Sequence, residues 1–173
     1  MINVEDIILR PVQASDASLL LKWENDQSNW SVSDTKSKFT LGEIIQLIES
    51  LEDIESAKQA RFIIADRSTS ISLGAVDLFS ISFEDESASV GILVANSEHR
   101  NKGIASKAIA NLEELCFEDL GVYSLTATVH RSNISSVKLF EKSGFSKKKL
   151  TQAAQLKNAD YIETLIFEKC LKK

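Results

Sequence analysis

Cysteine, proline and glycine are all scarce in this chain, and each shortage removes a class of explanation. Only two of 173 residues are cysteine. Cys116 and Cys170 lack the close spacing of a metal-ligand pair and sit in apolar helical and strand-like patterns, so reduced, buried thiols are expected, and no metal site. No apolar run is long enough to span a bilayer, and the opening MINVEDIILR is too acidic and too short in apolar run for a signal peptide. The expected location is therefore cytoplasmic, away from the membrane. Basic residues number 20 against 25 acidic ones, a formal charge of −5, which argues against a general nucleic-acid binder. Repeats, linkers and low-complexity stretches are absent.

With 43% hydrophobic residues in 173, the chain reads as one domain, residues 1–173, long enough to bury a core. Ile7 to Arg10 is a short strand stopped by Pro11, and Ser15 is placed to cap a helix through Leu20 and Leu21 to Trp23. Gln27 to Phe39 has no period and reads as a loop. Thr40-Leu41-Gly42-Glu43 is a capping box opening a second helix, with Ile44, Ile45, Ile48, Leu51 and Ile54 at helical spacing to near Ala57. Strands follow at Arg61–Ala65, Ile71–Ile81 and Val90–Val94, with Gly74 at a candidate bulge. A helix from Gly103 to Leu120 buries Ile104, Ala108, Leu112, Leu115 and Cys116 and is stopped by Gly121. Leu125–Val129 alternates as a strand, a helix carrying Val137, Leu139 and Phe140 closes at Gly144, and Phe145–Leu156 and Tyr161–Leu171 are the last two strands. This order implies an α/β fold on one mixed sheet.

The chemical feature is the junction between the strand at Val90 and the helix that opens through Arg100-Asn101-Lys102-Gly103-Ile104-Ala105-Ser106. Exposed N–H groups at a helix N-terminus, with the positive end of the dipole behind them, seat phosphate oxygens. Gly103 lets the main chain approach an anion, Ala105 keeps the next step small, and Arg100 and Lys102 add positive charge. One glycine is too few for a dinucleotide fingerprint, and no Gly-Lys-Ser/Thr ends the segment as a P-loop requires.

The pattern R-x-x-G-x-A after a strand resembles the acyl-CoA-binding motif of the GCN5-related N-acetyltransferases (GNAT). A second pattern, Asn133-x-x-Ser136-x-x-Leu139-Phe140-x-x-x-Gly144-Phe145, resembles that family's next motif and stands at the expected place after it. Leu9-Arg10-Pro11, Ser15-Asp16 and Trp23-x-Asn25-Asp26 are similar to the branch with ribosomal-protein alanine and serine acetyltransferases and spermidine acetyltransferases. The likeness weakens between Gln27 and Gln59, where acceptor specificity usually resides in this family. The resemblance implies a twisted, mostly antiparallel sheet flanked by helices, with the strands of Val90–Val94 and Leu125–Val129 splayed at the acyl-CoA site. It further implies acetyl-CoA as co-substrate, its pantetheine arm paired with main-chain groups of Ile92, Leu93 and Val94 and its pyrophosphate held by Arg100 to Ser106. Asn133 would hydrogen-bond the pantetheine arm or an ordered water, Phe140 would pack near the thioester, and Ser136 would join the cofactor-binding residues.

The acid and base are less legible. The family's second motif commonly carries a tyrosine where this chain has Phe140, which cannot reprotonate a thiolate, and related sequences often carry a glutamate where this chain has Ser89. Ser89, Asn133, Tyr161 and Glu163 are the candidate catalytic residues; Tyr161 and Glu163 stand two apart and so share a sheet face. Asp77, His99 and His130 are further candidates against a surface role. The acidic helix face of Glu49, Glu52, Asp53 and Glu55 suits either a cationic amine or plain solvation.

The function implied is transfer of an acetyl group to a primary amine, whether a protein N-terminus, a polyamine or another small amine, by direct attack in a ternary complex. The alternative is a catalytically weak or inactive acyl-CoA-binding regulatory module on the same fold; a nucleotide-binding protein using the same cradle is a third reading. Apolar residues of the last strand suit either the core or a homodimer interface.

Overall fold

The computed structural model describes residues 2–30, 37–153 and 162–171. Seven strands form one sheet in the order β1-β2-β3-β4-β5-β7-β6. They are β1 (Ile7–Pro11), β2 (Ala60–Asp66), β3 (Ser72–Ser82), β4 (Ser87–Val94), β5 (Ser124–His130), β6 (Ser146–Ala153) and β7 (Ile162–Cys170). Every neighbouring pair is antiparallel except β4 and β5. The mixed, mostly antiparallel sheet flanked by helices is thus the architecture expected.

Among the described residues six α-helices flank the sheet: α1 (Ala17–Glu24), α2 (Gln27–Trp30), α3 (Leu41–Ser50), α4 (Ile54–Ala57), α5 (Ile104–Leu115) and α6 (Ile134–Lys142). Successive side chains of a strand point to opposite faces, and β2 shows the consequence. Ile63 packs with Ala17, Leu20, Ile44 and Ile48 of α1 and α3. Its neighbours Phe62 and Ile64 join the larger core with Ile104, Ala108, Ile109 and Leu112 of α5 and Phe140 of α6. One face of the sheet therefore carries α1 and α3, and the other α5 and α6. No helix among the described residues is long and apolar enough to cross a membrane.

Several local expectations are corrected. Gln27–Trp30 is a short helix, while 31–36 lie outside the described residues. A four-residue helix leaves no periodicity to read and is held from outside: the Trp30 indole N–H donates to Glu24 O at 2.7 Å. The second helix does not run to Ala57; it stops after Ser50, and the Asp53 carboxylate accepts the Glu55 N–H at 3.1 Å to start α4 afresh, the competition that short polar side chains offer a helix interior. The first helix is not capped by Ser15. Asp16 accepts the Gln13 N–H at 2.9 Å while gripping Arg10 through two 2.7 Å bonds. Cys116 is buried as expected, but Cys170 is exposed, because β7 ends there.

The capping box does form: Thr40 N–H donates to Glu43 Oε2 at 2.7 Å and Glu43 N–H to Thr40 Oγ1 at 3.3 Å. The β2–β3 register shifts where Gly74 was expected at a bulge, with Ala65 opposite Ser72 directly after Ile64 opposite Gly74.

Candidate active site

The site begins where two strands stop pairing. Between β4 and β5 the ladder holds only Ser87 with Ser124, Ala88 with Leu125 and Ser89 with Thr126, although β4 continues to Val94 and β5 to His130. Beyond that rung their outer edges remain paired, to β3 and β7, so the opening lies between them.

Main-chain directions within the opening follow from two contacts. Ala95 donates its N–H to Leu73 O at 2.9 Å, on the β3 side. The Val94 carbonyl shares that peptide unit and points the other way, into the gap, where it accepts Arg100 Nε at 3.0 Å. Because peptide directions alternate along a strand, the N–H and C=O of Ile92 and the N–H of Val94 face the gap. Those of Leu93 face β3, and its carbonyl lies against Gly74, where an added Cβ would run into it. Leu93 therefore meets the opening only through its side chain.

Below the gap, the chain turns through Asn101 at φ +58° and Gly103 at φ +83° into α5. Left-handed backbone at that last position is what glycine accepts without strain. The first α5 hydrogen bond is Lys107 N–H to Gly103 O, 3.0 Å, which leaves Ile104, Ala105 and Ser106 N–H without an intrahelical acceptor, and no side chain caps this helix. Its α-helical part ends at Leu115, widens through Cys116–Leu120 and stops at Gly121, φ +63°.

A cleft of about 490 Å³ joins these parts, within the range of small-molecule sites. Of the residues singled out from sequence, its wall brings together Ile92, Leu93, Val94, Arg100, Asn101, Gly103, Ile104, Ala105, Ser106, Asn133 and Ser136. Asn133 also caps α6, its Oδ1 accepting the Ser136 N–H at 3.2 Å. His99 lines the cleft too, with a buried Nδ1 that has no hydrogen-bond partner among the described residues. Ser135 and the motif residue Leu139 complete the wall with Lys138 and Lys142, one helical turn apart on α6, and the 57% exposed Ile134; the two lysines and Ile134 had no signal in the motif reading.

Other singled-out residues lie elsewhere. Phe140 is not on the cleft wall; it is buried, edge-on to Phe145 with ring centres 5.1 Å apart and stacked on Phe167 at 6.1 Å. Lys102 is exposed and off the wall. Ser89 sits at the last rung of the β4–β5 ladder, half-buried, outside the lining. Glu163 is ion-paired on the surface with Arg131 at 2.6 Å. Tyr161 lies outside the described residues.

On the α1 side of the sheet, Asp77 stands opposite Gly91 of β4 and is held by Arg61 through bonds of 2.6 and 3.0 Å, while Arg61 Nη1 donates to Glu24 at 2.9 Å. Burial works against the Arg61 charge, but the two carboxylates outweigh it and hold its pKa above the ordinary value. Asp77 is thus half of a fixed ion pair, and α1 is locked to the sheet beside the opening.

The family model described as an acetyltransferase (GNAT) domain matches residues 6–146. The chain is 28% identical over 153 residues to the probable N-acetyltransferase YjcK of Bacillus subtilis, covering 85% of this chain and 84% of that one. Among solved structures, it is similar to the spermidine N-acetyltransferase from Vibrio cholerae in complex with CoA and spermine, with a TM-score of 0.86, 21% identity and 96% of each chain covered. It is similar as well to a ribosomal-protein alanine acetyltransferase from Vibrio fischeri, with a TM-score of 0.84, 20% identity and coverage of 97% of this chain and 94% of that one.

Proposed function

Because the chain belongs to the GNAT acetyltransferase family and is therefore an acetyl-CoA-dependent acyltransferase, we propose that it moves the acetyl group to a primary amine by direct attack in a ternary complex. The observation that carries this reading is the opening past Ser89 and Thr126, whose gap-facing main-chain groups lead to the uncapped first turn of α5. The dimensions and chemistry fit the co-substrate. When bound, acetyl-CoA supplies an activated acyl thioester.

Each part of the wall then has a task. The N–H and C=O of Ile92 pair with the pantetheine amides as an added strand would, and Ile134 and Leu139 give that arm apolar cover. The N–H groups of Ile104, Ala105 and Ser106, reached over the small Gly103, hold the pyrophosphate, with Lys138 and Lys142 contributing charge from α6. The Val94 N–H stabilises negative charge developing on the acyl oxygen. Asn133 fixes the start of α6 and so the wall facing the arm.

Phe140 has no proton to give and acts as packing beneath α6. Glu163 and Asp77 are each committed to an arginine. The reaction thus relies on positioning and on an amine that arrives deprotonated, with protons exchanged through water. A protein N-terminus, a polyamine or another small amine all meet that requirement.

Release of the CoA thiol over a panel of amines tests the function. Turnover dependent on an amine, with acetylated product, supports it. Tight acetyl-CoA binding with no turnover on any amine would instead assign the fold to a regulatory acyl-CoA-binding module.

A further inference from the structure

The four-residue helix α2 holds a buried polar side chain that the reading above leaves unused. Asn29 is 2% exposed, and both ends of its amide are engaged. Its Nδ2 donates to Trp23 O at 3.1 Å, a carbonyl at the end of α1 that also accepts the Asp26 N–H at 3.3 Å. Its Oδ1 accepts Arg100 Nη2 at 2.6 Å, a short, charge-assisted bond across 71 positions of sequence. The same guanidinium donates through Nε to Val94 O at 3.0 Å and through Nη2 to Ala95 O at 3.4 Å. One planar fork therefore joins the end of β4 to the corner between α1 and α2. Only an amide of this length supplies both the donor for Trp23 and the acceptor for Arg100.

We infer that Asn29 is a positioning residue for the transfer reaction. It fixes Arg100, and through it the separation between the gap-facing end of β4 and the first turn of α5, and it ties that geometry to the helical layer on the opposite face of the sheet. Arg100 on this account acts through its hold on Val94 rather than as the principal phosphate ligand. The inference rests on the reading that the cleft takes acetyl-CoA. It adds that filling the cleft steadies the α1–α2 corner, because both ends of the Asn29 link must be ordered together.

Calorimetric titration of CoA into the wild type, Asn29→Leu, Arg100→Met, the double variant and Asn29→Asp tests the link, with amide hydrogen exchange over residues 17–30 measured with and without CoA. Each of the first two substitutions is expected to weaken CoA binding about tenfold, the worth of one hydrogen bond to a charged group. The double variant is expected to be no weaker than either, because both remove the same link. Asn29→Asp keeps the bond to Arg100 and is expected to restore most of the affinity. CoA should slow exchange at 17–30 in the wild type and leave it unchanged in Asn29→Leu. A fall in melting temperature with unaltered CoA affinity and unaltered exchange response overturns the inference and leaves the acetyl-CoA reading intact, as does full additivity in the double variant. Failure of the wild type to bind CoA rejects both. Should Asn29→Leu not fold, Asn29→Ser, too short to reach the Arg100 guanidinium, takes its place in the same comparison.

Discussion

Ser89 and Thr126 form the last rung between β4 and β5, and the site is built from what lies beyond them. Up to that rung the two strands satisfy each other; past it, β4 turns main-chain groups of Ile92 and Val94 towards a space that no strand among the described residues fills. Leu93, between them, is bound to the β3 side, where Gly74 lies against its carbonyl.

That contact makes Gly74 the tightest of the glycines among the described residues. In Gly74→Ala the new methyl meets the backbone of Leu93, which cannot rotate away. The expected cost is about 2 kcal/mol of stability, with weaker CoA binding because β4 is displaced at the gap. Urea unfolding measures it, and a loss below about 0.5 kcal/mol, the level of an ordinary surface change, contradicts it.

Acid stability should depend on Asp16. The two bonds from the Arg10 guanidinium are the main cause holding its carboxyl below the usual range, against the effect of burial. A depressed carboxylate stabilises the fold above its unfolded value, near pH 4, and that contribution disappears as pH falls through the folded value. Asp16→Asn should therefore cost about 2 kcal/mol at pH 7, and the gap to wild type should shrink steadily below about pH 4. A difference independent of pH between 7 and 2 would contradict the assignment.

The two thiols should differ sharply. Burial, and secondarily the Glu113 charge, push the Cys116 thiol up to about 12, whereas Cys170 is exposed. Since the thiolate is the reactive form, a thiol reagent at neutral pH should label one site quickly, and Cys170→Ser should abolish that phase. The second site should react only on unfolding. Two equally fast sites would refute the burial of Cys116.

The pH dependence of turnover should follow the acceptor amine. With Phe140 buried and Glu163 and Asp77 paired to arginines, kcat/KM is expected to rise about tenfold per pH unit towards about pH 9 as the amine is freed. A plateau setting in below about pH 7 would report a protein base, for which His99 on the cleft wall is the candidate.

The sequence was most readable where local chemistry decides. The Thr40–Glu43 box, the turns at Gly103 and Gly121 and the apolar stripe of α5 all form as their residue types require, and the two motifs located the cleft wall on both sides. Legibility failed where the decision is made over distance. Motif spacing placed Arg100 in the cradle but could not show its side chain turned to Val94 and Asn29, and α2 owes its existence to bonds from Trp30 and Asn29 rather than to periodicity. Phe140 was placed beside the thioester by its motif position, yet β7, arriving from the far end of the chain, brings Phe167 against it. Lys138 and Lys142 carry no signature beyond a four-residue spacing common to any solvated helix.

The account rests on acetyl-CoA entering the cleft over Gly103, and titrating acetyl-CoA calorimetrically into the wild type and Gly103→Asp tests this most directly. Gly103 adopts φ +83° at the uncapped start of α5, so an aspartate there strains the backbone and places negative charge where the pyrophosphate would sit. Binding by the wild type, weakened at least about tenfold in the variant while the fold persists, is the predicted result. Equal affinity in both proteins, or no binding by the wild type, would contradict it.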